Sequence, residues 1–281
     1  MVSPRAALAL SEADAAEFRQ AVLEHYRLEG RSFPWRDTED PWRVLVSEIM
    51  LQQTQTFRVL PKYLAWFERF PDALALAQAP LAEVYGLWKG LGYNSRALRL
   101  RDAARLLIDE FDGRVPPEEK KLLSLPGIGS YTARAIRAFA FNLPGAVLET
   151  NIRAALIFHF FADSERVSDR ELEPVALATM DASEPRRWYY ALMDYGSWLK
   201  KKESNPSRQS SSYARQSRFE GSARQARGAL LKALSTAGRP LSVGELAELS
   251  GLEHARLSKA AASLAAEGLV NYEADRLSFA E

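Results

Sequence analysis

The chain has 281 residues, 47% of them hydrophobic and 26% charged, the composition of an ordinary globular protein with room for about two domains. It contains no cysteine, which excludes disulfides, thiolate zinc sites, a cysteine nucleophile and a cysteine-ligated iron–sulfur cluster. The net charge of +1 says nothing about a polyanion partner, but from Lys200 to Lys232 nine basic residues stand against two acidic ones.

The apolar run Ala6 to Leu10 has no cleavage site behind it, and no stretch approaches the roughly 20 apolar residues that span a bilayer. A cytoplasmic protein with no membrane partner is expected. His25, His159 and His254 match no ligand spacing, so no metal is expected either. Through the first 200 residues apolar side chains recur three and four apart, which predicts successive helices. Val44, Leu45, Ile49, Met50 and Leu51 form one stripe; Tyr63, Leu64, Phe67 and Phe70 form another that stops before Pro71. Ala79-Pro80 opens a helix through Val84 and Leu87. Gly86, Gly90 and Gly92 then punctuate a turn into a basic helix carrying Arg96, Arg99, Arg101 and Arg105. A helical hairpin is expected around Leu125-Pro126-Gly127-Ile128-Gly129, with helix resuming from Tyr131 to Phe141. At Glu203-Ser204-Asn205-Pro206-Ser207 and Ser210-Ser211-Ser212 the periodicity lapses into linker composition. Helices return through Leu230 to Leu234, Leu241 to Leu249 and Leu257 to Leu264. Two strand-like pieces, Leu269 to Tyr272 and Arg276 to Phe279, follow, a pattern that suggests a winged helix. The expected domains are residues 1–202, a basic Ser-rich linker 203–220 and a winged-helix-like domain 221–281.

The two glycines of Leu125-Pro126-Gly127-Ile128-Gly129 stand at a turn before a helix, where free amides can meet a phosphate. With Ser130-Tyr131-Thr132-Ala133 they resemble the helix-hairpin-helix of the DNA glycosylase superfamily that includes endonuclease III. Val147-Leu148-Glu149-Thr150-Asn151-Ile152-Arg153 resembles the segment in which that superfamily carries its catalytic carboxylate. Phe33-Pro34-Trp35-Arg36, Ser47-Glu48-Ile49-Met50-Leu51-Gln52-Gln53-Thr54-Gln55 and Gly90-Leu91-Gly92-Tyr93-Asn94-Ser95-Arg96 look like the signature segments of the MutY-type adenine DNA glycosylases. The likeness runs from about Phe33 to Leu199. It implies an all-α, two-lobed helix-hairpin-helix glycosylase fold with a DNA-binding cleft between the lobes, to which the small C-terminal winged-helix domain is added.

A glycosylase must extrude a base, weaken its bond to the sugar and stabilise a cationic sugar. Glu48, in an apolar helix, suits the acid that protonates the leaving base. Glu149 stands where the family has aspartate and suits the anion that faces the sugar and directs a water; a glutamate that simply favours a helix start would look the same in sequence. Asn151 matches the family asparagine that orients the water or the carboxylate, or is an ordinary cap. Tyr131 stands where bifunctional relatives place a lysine, and without an amine there is no Schiff base. The resemblance therefore implies a monofunctional enzyme of base excision repair without strand cleavage. Gln52, Gln53 and Tyr93 are candidates to wedge into the vacated stack. Arg96, Gly127, Gly129, Ser130, Lys200, Lys201, Lys202, Arg208 and Arg215 are candidates for phosphate contact, with Tyr213 and Phe219 as tethering aromatics.

The family commonly ends its helical lobe with four cysteines on an iron–sulfur cluster; none stands after Trp198, so no cofactor is expected. Typical adenine glycosylases also carry a larger C-terminal domain that recognises 8-oxoguanine. The expected partner is duplex DNA with a mispaired or damaged base, adenine favoured, met by a monomer. Two alternatives stay open: a mismatch thymine or uracil glycosylase, and a DNA-lesion binder in which Glu149 no longer serves catalysis.

Overall fold

The computed structural model describes residues 10–215 and 218–280. The apolar run Ala6 to Leu10, apart from Leu10, and residues 216 and 217 of the expected linker lie outside them. In chain order the helices are α1 (Glu12–Glu29), α2 (Pro41–Leu51), α3 (Thr56–Arg69), α4 (Ala73–Ala77), α5 (Leu81–Trp88), α6 (Ser95–Phe111) and α7 (Glu119–Ser124). They continue with α8 (Ser130–Phe141), α9 (Thr150–Phe160), α10 (Asp169–Thr179), α11 (Pro185–Lys202) and a 3-10 turn, Pro206–Gln209. The chain closes with α12 (Ala223–Ala237), β1 (Leu241–Ser242), α13 (Val243–Ser250), α14 (His254–Ala266), β2 (Val270–Glu273) and β3 (Arg276–Phe279). Two compact units result. Within the described residues one takes 10–45, 117–124 and 128–215, the other 46–116, 125–127 and 218–280.

In the first unit α9 lies against α11, which also holds α1 and α8. Phe18, Trp188, Tyr189, Leu192, Ile152 and Leu156 are buried there. The Phe33-Pro34-Trp35-Arg36 segment is an anchor in this unit. Phe33 stacks on Trp35 at 4.8 Å, and Arg36 donates both guanidinium nitrogens to Asp194 of α11 at 2.9 Å while lying over the Tyr190 ring. Arg31 adds a second guanidinium to the same carboxylate. Burial pushes the Asp194 carboxyl up, but the two arginines outweigh it and hold it below the ordinary aspartate range.

In the second unit α3, α5 and α6 enclose Trp66 and Trp88, whose rings meet edge to face at 5.6 Å. Leu64, expected in the apolar stripe, is half exposed on α3. The C-terminal three helices and sheet belong to this same unit. The strands run in the order β1-β3-β2, all antiparallel, with Tyr272 opposite Leu277. Ala274 and Asp275 both take positive φ, as a two-residue turn between right-twisted strands requires. α12 packs on α5, and Tyr85 stacks on Phe279 at 5.3 Å. The segment 203–220, read from composition as linker, begins as a packed strap. Pro206, Ser207 and Ser210 are buried, the turn lies on α9, and Ser210 bridges to Val167.

Candidate active site

The first constellation is the N-terminus of α9. Glu149 has extended backbone and serves as the N-cap, a position usually held by a shorter side chain. Its Oε1 accepts the amides of Asn151 at 2.6 Å and Ile152 at 2.8 Å, and its Oε2 accepts Nδ2 of Asn151 at 3.2 Å. The cap and the expected catalytic carboxylate are thus one group: the helix start fixes where the charge sits. Lys200, near the end of α11, donates its Nζ to Asn151 Oδ1 at 2.9 Å. Burial raises the Glu149 pKa, against the Ile152 amide, Lys200, the Asn151 amide and Arg153, which pull it down. Arg153 itself is held by Asp169 of α10 through two 2.8 Å bonds.

What lets α9 and α11 come this close is Gly196. A Cβ there would stand 1.9 Å from the Asn151 carbonyl oxygen and 2.6 Å from its carbon. Neither Gly196 nor the bond from Lys200 is foreseeable from the sequence. Both lie more than 40 residues from Asn151 in the chain, and no local pattern announces such a pairing.

The second constellation is built on α2 and the loop that follows it, and on α6 and the loop that precedes it. Glu48 is buried on α2 between Val46, Ile49 and Met50, which are buried too. Gln53 and Tyr93 both adopt left-handed backbone, with φ of 53° and 47°. Non-glycine residues held there cost free energy and persist where the surroundings enforce them. The enforcing group is Arg96. Its Nη1 reaches the carbonyls of Ile49, Met50 and Gln52 at 2.7–3.0 Å, and its Nη2 reaches Thr54 Oγ1, Leu91 O and Gly92 O at 2.9–3.2 Å. Thr54 donates in turn to Leu91 O at 3.1 Å. Burial lowers the Arg96 guanidinium to about 10, with Tyr93 opposing, so it stays charged at neutral pH. The structure places Arg96, expected on a phosphate, in the interior: the residue is only 7% exposed, and its guanidinium donates to the end of α2 and to the loops on either side of the clasp. It clasps the loop of Gln52 and Gln53 to the loop of Tyr93. Gln53 is exposed, and Gln52 and Tyr93 are half-buried. Arg224 of α12 donates to the Tyr93 hydroxyl at 3.3 Å.

The hairpin follows its expected course. Gly127 takes φ +85°, which L side chains avoid, and a Cβ there would also press on Arg99 at 3.1 Å. Gly129 caps α8 and Ser130 begins it, both exposed, with Tyr131 half-buried one residue on. Of the basic candidates, Lys201, Lys202, Arg208 and Arg215 are exposed, as are Tyr213 and Phe219. Lys200 differs: it is half-buried and donates to Asn151.

The structure brings Glu149, Asn151 and Lys200 together in the first unit and gathers Gln52, Gln53, Tyr93 and Arg96 in the second. The cluster that the family resemblance implies does not fit the residues present. The segment after α11 offers lysine, serine, asparagine and proline, none of them a thiolate. Its buried positions are Pro206, Ser207 and Ser210 packed against protein. Among the described residues no group of histidine, aspartate and glutamate could hold a metal ion, and no helix is long and apolar enough to cross a membrane.

Residues 46–176 match the family described as HhH-GPD superfamily base excision DNA repair protein, and residues 228–274 match the IclR helix-turn-helix domain. An adenine DNA glycosylase of Mycolicibacterium smegmatis is 37% identical over 273 residues, covering 90% of this chain and 92% of that protein. Among solved structures, a thermostable thymine-DNA glycosylase aligns with a TM-score of 0.60 and 27% identity, over 66% of this chain and 87% of that one. A non-covalent endonuclease III–DNA complex aligns with a TM-score of 0.55 over 66% and 85% of the two chains. At 18% identity that likeness speaks for the fold.

Proposed function

We propose that this chain, which belongs to the adenine DNA glycosylase family of the HhH-GPD superfamily, is a monofunctional glycosylase that hydrolyses the bond between sugar and a flipped adenine. The carrying observation is the Glu149 carboxylate, seated on two helix amides and bridged through Asn151 to Lys200. Base departure leaves positive charge on the sugar. A carboxylate fixed before the reaction stabilises that charge without having to reorganise. Glu48, buried in α2, supplies the proton that lets the purine leave as a neutral base, a step worth about 10²–10⁴-fold in rate. Glu149 and Asn151 orient the water that completes hydrolysis. Tyr131 has no amine, so no imine forms and the strand stays intact. Gly127, Gly129 and Ser130 bind a phosphate through backbone amides, and Lys201, Lys202, Arg208 and Arg215 neutralise others. The protein works as a monomer on duplex DNA, wherever the cell keeps its DNA, and uses no cluster or other cofactor.

The test uses four duplexes: adenine opposite 8-oxoguanine, adenine opposite guanine, and thymine or uracil opposite guanine, each followed by alkali. Breaks with adenine alone support the reading. Breaks at thymine would favour a mismatch thymine glycosylase, a reading supported by the 27% identity and TM-score of 0.60 with a thymine-DNA glycosylase. Binding without breaks on any duplex would overturn the enzyme.

A further inference from the structure

Lys200 lies 49 residues from Asn151 in sequence, and its ammonium meets the carbonyl end of that side chain at 2.9 Å. An amide oxygen and nitrogen are interchangeable by a flip of the side chain, and only the hydrogen-bond partners decide which faces where. An ammonium only donates, so Lys200 selects the orientation in which Oδ1 faces α11 and Nδ2 faces Glu149 Oε2, 3.2 Å away. With the opposite flip, an oxygen would meet the carboxylate and a nitrogen the ammonium, two repulsive contacts.

We infer that Lys200 is a positioning residue: it locks the Asn151 amide so that this amide donates to the Glu149 carboxylate and keeps the carboxylate in place as an anion. The inference rests on the reading of Glu149 as the anion of the reaction. The geometry supports it independently of charge. α11 approaches α9 through Gly196, which leaves no room for a side chain against the Asn151 carbonyl. Lys200 is four residues, about one helical turn, further along the same helix. One face of α11 therefore fixes both the backbone and the side chain of Asn151. The charged groups around Glu149 are Lys200 from α11 and Arg153 from its own helix, the latter engaged by Asp169 of α10. Lys200 is thus the cation whose removal changes the site without freeing a carboxylate partner.

The test compares K200M, which keeps the apolar stem, with K200R, which keeps a donor and the charge, in the full chain. Excision from adenine–8-oxoguanine duplex is measured at saturating protein, and the Glu149 carboxyl is titrated in free protein by carbon-13 NMR. K200M is expected to lose about 10- to 100-fold in single-turnover rate, the range of a lost bond to a charged group. K200R is expected to recover most of it. The Glu149 midpoint should move to higher pH in K200M, carrying the acid limb of the rate profile with it. The log affinity against log salt slope should stay unchanged, whereas a phosphate contact would flatten it by about 0.9. A wild-type rate and an unmoved midpoint in K200M would overturn the proposal, and so would a flattened slope at unchanged rate. Wild-type protein that excises no base would instead sink the reading of function, and the NMR midpoint would still decide whether Lys200 acts on Glu149.

Discussion

Replacing Gly196 with alanine tests the claim that α11 sets the position of the turn that holds Glu149. The added Cβ would stand 1.9 Å from the Asn151 carbonyl oxygen, against the 3.0 Å below which real Cβ atoms are essentially never found, so one of the two must retreat by at least 1.1 Å. The clash is with backbone, and no side-chain rotation relieves it. Two retreats are open. If α11 moves, buried Tyr195 and Leu199 beside the glycine are disturbed; if the first turn of α9 moves, Glu149 loses its amides. A displacement of about 1 Å at a reacting group costs about 100-fold in rate, and overpacking costs about 1–3 kcal/mol of stability. The prediction is a fall of about 100-fold in single-turnover excision, with DNA affinity within a few-fold of wild type and a lowered Tm. Gly86→Ala is the control. No atom lies within 4 Å of a Cβ at that helical position, so it should gain about 0.5–1 kcal/mol and excise normally. Gly196→Ala at the wild-type rate would refute the reasoning, because either retreat shifts α11, and Lys200 with it, against the turn that holds Glu149.

Arg96→Lys should destabilise the second unit and slow excision, since one ammonium cannot reach the seven acceptors the guanidinium meets; its salt slope should match wild type, whereas alanine at both Lys201 and Lys202 should flatten the slope by about 0.9 for each phosphate no longer neutralised. Borohydride should trap no covalent complex on an active substrate, because Tyr131 offers no amine; a trapped adduct would place a lysine nucleophile elsewhere. Asp194→Asn should cost about 3–5 kcal/mol in urea unfolding by leaving Arg36 buried without its carboxylate. Because the Asp194 carboxyl titrates lower in the folded state than in the unfolded chain, the stability it contributes is present above the ordinary aspartate range and lost as pH falls through its folded value, and the Asn variant should lack that component of acid sensitivity.

Much of this architecture is legible in the sequence because the helices are set by local pattern. The hairpin and the winged module stand where periodicity and turn residues place them, with boundaries shifted by up to three residues, while Glu149 is singled out by the family resemblance and not by local pattern. Arg96 misleads because sequence shows the charge and hides its surroundings: on a helix with three other arginines it reads as a solvated cation, while seven carbonyl and hydroxyl oxygens converge on it from the end of α2 and the loop after it, more than 40 residues upstream, and from the loop immediately before it. The strap misleads for a related reason. Serine, asparagine and proline are the residues of linkers and equally those of tight turns. Asn205 accepts the amide and hydroxyl of Ser207, Gln209 donates to Ser164 O, 45 residues upstream, at 2.8 Å, and these polar bonds, local and long-range, order the segment without apolar periodicity.

The glutamate at position 149, where the family carries aspartate, is the departure that most affects the mechanism, and the geometry gives it a physical account. An extra methylene lets a carboxylate swing, and a swinging charge is a poor stabiliser of a developing cation. Here the swing is removed at three points. Oε1 is pinned by two amides of the first turn, and Oε2 is tied to Asn151. Asn151 cannot flip away because Lys200 holds its other end. A residue retained only as a helix cap would need the first two bonds and nothing more, since a cap satisfies orphan amides with a single side-chain oxygen. The third bond and the lysine behind it act on the oxygen that the cap does not use. Under the proposed function, that surplus of restraint is what a preorganised anion requires against a burial that pushes its pKa up.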